Sequence, residues 1–137
     1  MNIFTLGFLS ICGAGLVGCG SDAVDNTPLE PSRETRISSL AAAACDRYAD
    51  TEAGCPGYGT DKKYATQADC RRDFEKAAGD LWPASECSEQ QINSSAYQQC
   101  EDRAKTFACS TGTQNFFDAV SALDECKAAK VCTDPKD

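Results

Sequence analysis

Ten cysteines in 137 residues are the groups of this chain best able to do chemistry. Three chemistries use thiols at such density: metal ligation, dithiol redox exchange and disulfide cross-linking. Zinc sites take their ligands from Cys-x₂₋₄-Cys pairs, usually completed by histidine. A redox centre needs Cys-x-x-Cys. Neither spacing occurs, since no two cysteines lie closer than Cys126 and Cys132. Histidine is absent, which removes both the commonest metal ligand and the commonest general base. The expectation is therefore no metal and no cofactor. Cross-linking remains, and it requires an oxidising compartment.

The N-terminus supplies that compartment. Ile3 to Val17 is an apolar, glycine-interrupted run, shorter than the roughly 20 apolar residues of a membrane span and of signal-peptide core length. It ends in Leu16-Val17-Gly18-Cys19 and turns polar at once in Gly20-Ser21-Asp22. This junction resembles the lipobox of bacterial lipoproteins, although Met1-Asn2 ahead of it carries no lysine or arginine. The resemblance implies a diacylglyceryl thioether on Cys19, cleavage before that residue and acylation of the new amine. Two or three acyl chains, at about 0.8 kcal/mol per buried CH₂, anchor durably. Gly20 stands where inner-membrane lipoproteins often carry Asp, which favours the outer membrane in a Gram-negative cell envelope. The expected organisation is a signal peptide over 1–18, a lipidated cysteine with a flexible acidic tether over 19–31, and a cysteine-rich domain over 32–137.

No charged residue precedes Cys19, so the net charge of −8 belongs to the mature part. An acidic surface argues against nucleic acid as a partner and against electrostatic docking on anionic lipid; the membrane is reached through the lipid on Cys19. Gly20 to Pro31 is polar and punctuated by Pro28 and Pro31. As a flexible linker it spans about 20 Å root-mean-square, which keeps the domain near the bilayer.

The elements that must position the cysteines read as helices. Ile37, Leu40, Ala41, Ala44, Cys45 and Tyr48 share one helical face, predicting a helix from Arg33 to Ala49 capped by Ser32. A second is predicted over Gln67 to Ala78, with Thr66 as cap, Asp69 three residues on and Gly79 as the terminating glycine. A third starts at Ser94 behind Asn93, with Ile92 and Tyr97 as a hydrophobic staple and a stripe through Cys100, Ala104, Phe107 and Ala108. A fourth is predicted over Gln114 to Ala129 after Thr113. The expected fold class is all-α: a small disulfide-stapled bundle of about four short helices.

Setting aside Cys12 and Cys19 leaves Cys45, Cys55, Cys70, Cys87, Cys100, Cys109, Cys126 and Cys132, which allow about a hundred pairings. Their intervals hint at a duplication, and Cys45-Asp46-Arg47 echoes Cys100-Glu101-Asp102-Arg103. With one helical hairpin per half, the simplest scheme is nested: Cys45–Cys87 around Cys55–Cys70, and Cys100–Cys132 around Cys109–Cys126.

Other constellations are weaker. Gly57-Tyr58-Gly59 lacks the third glycine and the strand of a dinucleotide fingerprint. It opens a loop in which Tyr58 and Tyr64 flank Lys62 and Lys63, a candidate contact surface in an otherwise acidic chain; a plain turn is the simpler reading. Trp82, ahead of Pro83, is either a core plug or an exposed anchor at a partner interface. Glu101-Asp102 and Asp124-Glu125 are adjacent acids, which solvated helix faces explain.

Ala44-Cys45-Asp46-Arg47-Tyr48-Ala49, the Lys62-Lys63-Tyr64 loop, Trp82-Pro83 with Cys87, and Val131-Cys132 together resemble a family of small cysteine-rich bacterial lipoproteins named for natural product biosynthesis, over roughly Ala41 to Cys132. The resemblance implies an accessory role near secondary-metabolite genes and supplies no catalytic residues. The expected function is a non-enzymatic, membrane-anchored accessory or binding protein with a small-molecule or protein partner. One alternative is a structural or inhibitory envelope protein that recognises another protein. The other is a histidine-independent envelope hydrolase. Helical disulfide-rich phospholipases use a histidine and a calcium loop, and plant lipid-transfer folds use Cys-Cys and Cys-x-Cys; this chain has none of these.

Overall fold

Three of the four predicted N-caps, Ser32, Thr66 and Asn93, each start a helix. The structure, a computed structural model, describes residues 30–109 and 116–133; the signal segment, Cys12, Cys19, Gly20 to Leu29 of the tether and the Thr113 cap lie outside the described residues. Ser32 is extended and its hydroxyl accepts the Thr35 amide at 3.2 Å, opening α1, Arg33–Tyr48. Thr66 does the same for Asp69 at 3.2 Å and opens α2, Gln67–Leu81. The Asn93 side chain accepts the Ala96 amide at 2.9 Å and opens α3, Ser94–Lys105. Ile92 and Tyr97, on either side of that cap, are both buried. A 3₁₀ turn, Glu89–Gln91, precedes α3.

Helix α2 does not stop before Gly79 as the sequence predicts. It continues to Leu81 and ends at Trp82, because the residue before a proline is driven out of helical geometry and Pro83 follows. The Gly79 carbonyl instead receives Arg33 Nη2 at 3.0 Å, and the same guanidinium donates from Nε to the Trp82 carbonyl at 2.7 Å. Arginine thus caps the end where a glycine turn was expected.

The predicted fourth helix is broken into three pieces: α4, Phe116–Ser121; a 3₁₀ turn, Asp124–Cys126; and α5, Ala128–Val131. Leu123 and Lys127 are extended breakpoints, with ψ of 131° and 140°. Cys126 is bridged to Cys100, Cys132 is bridged to Cys87, and the Cys126 carbonyl accepts the Trp82 indole N–H at 2.8 Å. A continuous helix would have used that carbonyl internally. The stripe of α3 also ends sooner than predicted: Phe107 lies past the helix, half-buried 5.4 Å from Phe116, and Ala108 is exposed.

Side-chain contacts fix the topology. Arg33 meets the end of α2, Ser38 donates to Glu75 at 2.9 Å, and Gln67 bonds Asp46, so α1 and α2 are antiparallel. Arg36 bonds Ser94 at the start of α3, while Arg47 donates to Phe107 O at 2.7 Å just past its end, so α1 and α3 run the same way. The described residues form a small all-α fold without strands. Its core is aromatic and cysteine-rich, with Trp82, Tyr48, Phe74, Phe116 and Leu40 the largest fully buried side chains.

The eight cysteines do form four bridges, but in none of the nested pairs. They are Cys45–Cys70, Cys55–Cys109, Cys87–Cys132 and Cys100–Cys126. The nested scheme assumed that each half closes on itself, yet two bridges join the halves. Numbered within each half, first pairs with third in both, second with second, and fourth with fourth. That pattern is symmetric in the way the spacing hinted.

Candidate functional site

The loop residues singled out in the sequence do not converge on one surface. Lys62 and Lys63 are exposed, but Tyr64 is 3% exposed, with its ring edge-on to Tyr48 at 5.3 Å. Tyr58 is half-buried and donates its hydroxyl to the Cys45 carbonyl at 2.5 Å. The Lys63 ammonium lies 5.2 Å over the Tyr64 ring. Gly57 makes this packing possible: it sits at φ 71°, and a β-carbon there would fall 2.8 Å from Thr51 Cγ2. Burial, and then the Asp46 charge, push the Tyr58 phenol up to about 12; Tyr48 and Tyr64 are raised by burial too. These phenols stay neutral and act as packing groups.

Trp82 lies at the opposite end of α2 from this loop, fully buried, its indole edge-on to Tyr97 at 6.0 Å. Of its two readings, the core plug is the one seen.

A different group, centred on Arg36, lines a cleft. Arg36, in the first turn and a half of α1, is only 5% exposed. Its Nε donates to the Pro31 carbonyl at 3.2 Å, and its Nη2 donates to Glu30 Oε2 at 2.5 Å and Ser94 Oγ at 2.8 Å. Ser94 Oγ in turn donates to the same Glu30 oxygen at 2.8 Å. The guanidinium stacks 5.0 Å over the Tyr97 ring, and the Tyr97 hydroxyl donates to Arg36 O at 3.0 Å, locking the arginine from both sides. Burial, then the Glu101 charge, push the Tyr97 phenol up to about 12. Glu30, Arg36 and Ser94 line an open cleft of about 720 Å³ between the end of the tether, α1 and the start of α3, completed by Glu89, Ile92 and Asn93.

The periodicity argument missed Arg36 because it flanks the apolar stripe and so reads as solvated. A signal was present. Arg33 and Arg36 place two cations in or beside the first turn of α1, where the helix dipole disfavours them, and each is held by groups outside α1: Arg33 by the end of α2, Arg36 by Glu30, Pro31 and Ser94. A smaller recess of about 350 Å³ beside Ala43, Asp46, Asp50 and Lys105 is bounded by Arg47, whose guanidinium is engaged by Phe107 O and by Asp50 Oδ2 at 2.7 Å. Among the described residues no set of three or more acidic or cysteine side chains is placed to hold a metal, and no helix is long and apolar enough to cross a membrane.

The fold and its bridges define a small disulfide-stapled helical domain. The chain belongs to a family of unknown function, DUF6184, which matches residues 45–134. The match opens on the first bridged cysteine and closes just past the last, so Arg36 and Glu30 lie ahead of it. No curated protein and no solved structure matches the chain.

Proposed function

We propose that this protein is a membrane-anchored, non-enzymatic binding lipoprotein, held by acyl chains on Cys19 and serving an accessory role in handling or exporting a natural product. The Arg36 cleft carries the binding part of this reading: a buried, locked guanidinium opens onto a cleft of about 720 Å³ on a scaffold tied by four bridges. The lipobox at Leu16–Cys19 supports the anchor, and the sequence resemblance supports the metabolic setting. Mass spectrometry of the mature N-terminus should find a lipidated Cys19, and deletion of the gene should lower the yield or export of a secreted metabolite. An intact Met1 overturns the anchor; an unchanged metabolite profile overturns the accessory role.

A protein partner is the second reading. It is favoured by the exposed Lys62-Lys63 pair on the loop before α2, at the end of α1 remote from the tether. Affinity capture of one defined envelope protein, lost on K62E/K63E, supports it.

A further inference from the structure

We infer that the Arg36 cleft is a recognition site for a small amino acid, its carboxylate taken by Arg36 and Ser94, and that the chain's own Glu30 fills this seat when no ligand is bound. The inference rests on the binding reading above and names the ligand class for it.

A buried guanidinium has lost most of its hydration and must be matched by an anion and by hydrogen bonds. Among the described residues, the carboxylate matched to Arg36 is that of Glu30. Its side chain is 72% exposed, against 6% for Arg36, and it is carried by the tether ahead of α1 rather than by a packed element. The cation is built into the domain; its counter-ion stands on the exposed segment ahead of α1. The seat itself is shaped for a carboxylate. Nη2 and the Ser94 hydroxyl converge on one oxygen. Ser94 also opens the 12-residue α3, whose N-terminal polarity favours negative charge.

Charge in the rest of the cleft selects the class. Glu89 lines the same space, so an incoming ligand meets a cation at the buried end and a carboxylate at the rim. A molecule with one carboxylate and one ammonium satisfies both. A dianion such as phosphate gains Arg36 but opposes Glu89, and also Glu30 until it withdraws.

The test uses the intact, fully bridged chain, with amide and Arg36 side-chain resonances followed by NMR. L-alanine, acetate and inorganic phosphate serve as separate probes. L-alanine should shift Arg36 Nε and the Ser94 and Ser95 amides, with acetate weaker and phosphate weakest. E30Q removes the internal competitor and should tighten L-alanine binding by about tenfold, because the competent fraction rises. S94A, which keeps the buried arginine and the fold, should weaken it by about tenfold or more, the worth of one hydrogen bond to a charged group. No shift from any probe in E30Q overturns the site. Equal affinity in wild type and E30Q overturns the role of Glu30, and phosphate binding tightest overturns the ligand class. A silent cleft together with a metabolite phenotype on gene deletion sinks this inference alone and leaves the binding lipoprotein standing.

Discussion

Residues 33–105 and residues 116–133 are both helical, but for different reasons. In the first stretch α1, α2 and α3 run 16, 15 and 12 residues, and each begins on a side chain that accepts a backbone N–H. In the second the helical pieces run six, three and four residues, and neither the 3₁₀ turn at Asp124 nor α5 has a side-chain cap bond. Helices this short are unstable in isolation. Yet Phe116, Val120, Cys126 and Val131 are all buried to 1% exposure or less. The first stretch is shaped by local signals that packing then confirms; the second takes its shape from cross-links and contacts brought by other elements.

The substitution expected to damage both regions most is Trp82→Ala. The indole fills the core at the end of α2 and its N–H holds the Cys126 carbonyl, so the loss should be about 4 kcal/mol in denaturant unfolding, with both regions affected. The comparison is sharpened by two bridges of matched span. Cys45–Cys70 and Cys100–Cys126 enclose separations of 25 and 26, so the chain-entropy contribution of each is the same, about 3 kcal/mol. Replacing both cysteines by alanine should cost similar global stability in each case. Hydrogen exchange should differ: without Cys100–Cys126 the amides of 116–131 lose protection, while without Cys45–Cys70 helices α1 and α2 stay protected up to global unfolding. Equal protection patterns in the two variants refute the distinction. Next in size, Thr66→Ala or Asn93→Ala should lower stability by about 1 kcal/mol, read as a shift in the unfolding midpoint.

The last effect is a pH dependence, absent at neutral pH. Tyr58 and Tyr97 are raised to about 12, chiefly by burial, and Tyr48 and Tyr64 are raised as well. An acid whose folded value lies above its unfolded value binds its proton more tightly when folded. Its contribution is therefore complete below about pH 10 and is lost as the pH rises from there towards 12. An ultraviolet titration of the native protein should show phenolate appearing together with loss of helix; phenolate formation at an ordinary tyrosine value with the helix intact would contradict it.

How much of this was legible follows the same division. Ser32, Thr66 and Asn93 could be read as caps because capping is a contact between neighbours in sequence. The inner face of α1 could be read because every member lies within one helix. The bridge partners could not: a thiol carries no sequence mark of its mate, and assuming two self-contained hairpins led to four wrong pairs. The duplication in the spacing was the better guide, since equivalent cysteines pair either in the same way within each half or with each other across the halves. The breaks at Leu123 and Lys127 were hidden because apolar periodicity continues across them, while the ties to Trp82, Cys87 and Cys100 come from distant positions. Arg36 was hidden because a cation beside an apolar stripe looks solvated until its stacking on Tyr97 is seen.

The overlap of the four bridges has a consequence for survival among proteases. The loops Cys45–Cys70, Cys55–Cys109 and Cys87–Cys132 overlap end to end, so every peptide bond between Cys45 and Cys132 lies inside at least one closed ring. A single cut anywhere in that span severs the backbone but releases nothing: the two fragments stay covalently joined, and the nicked molecule comes apart only on reduction.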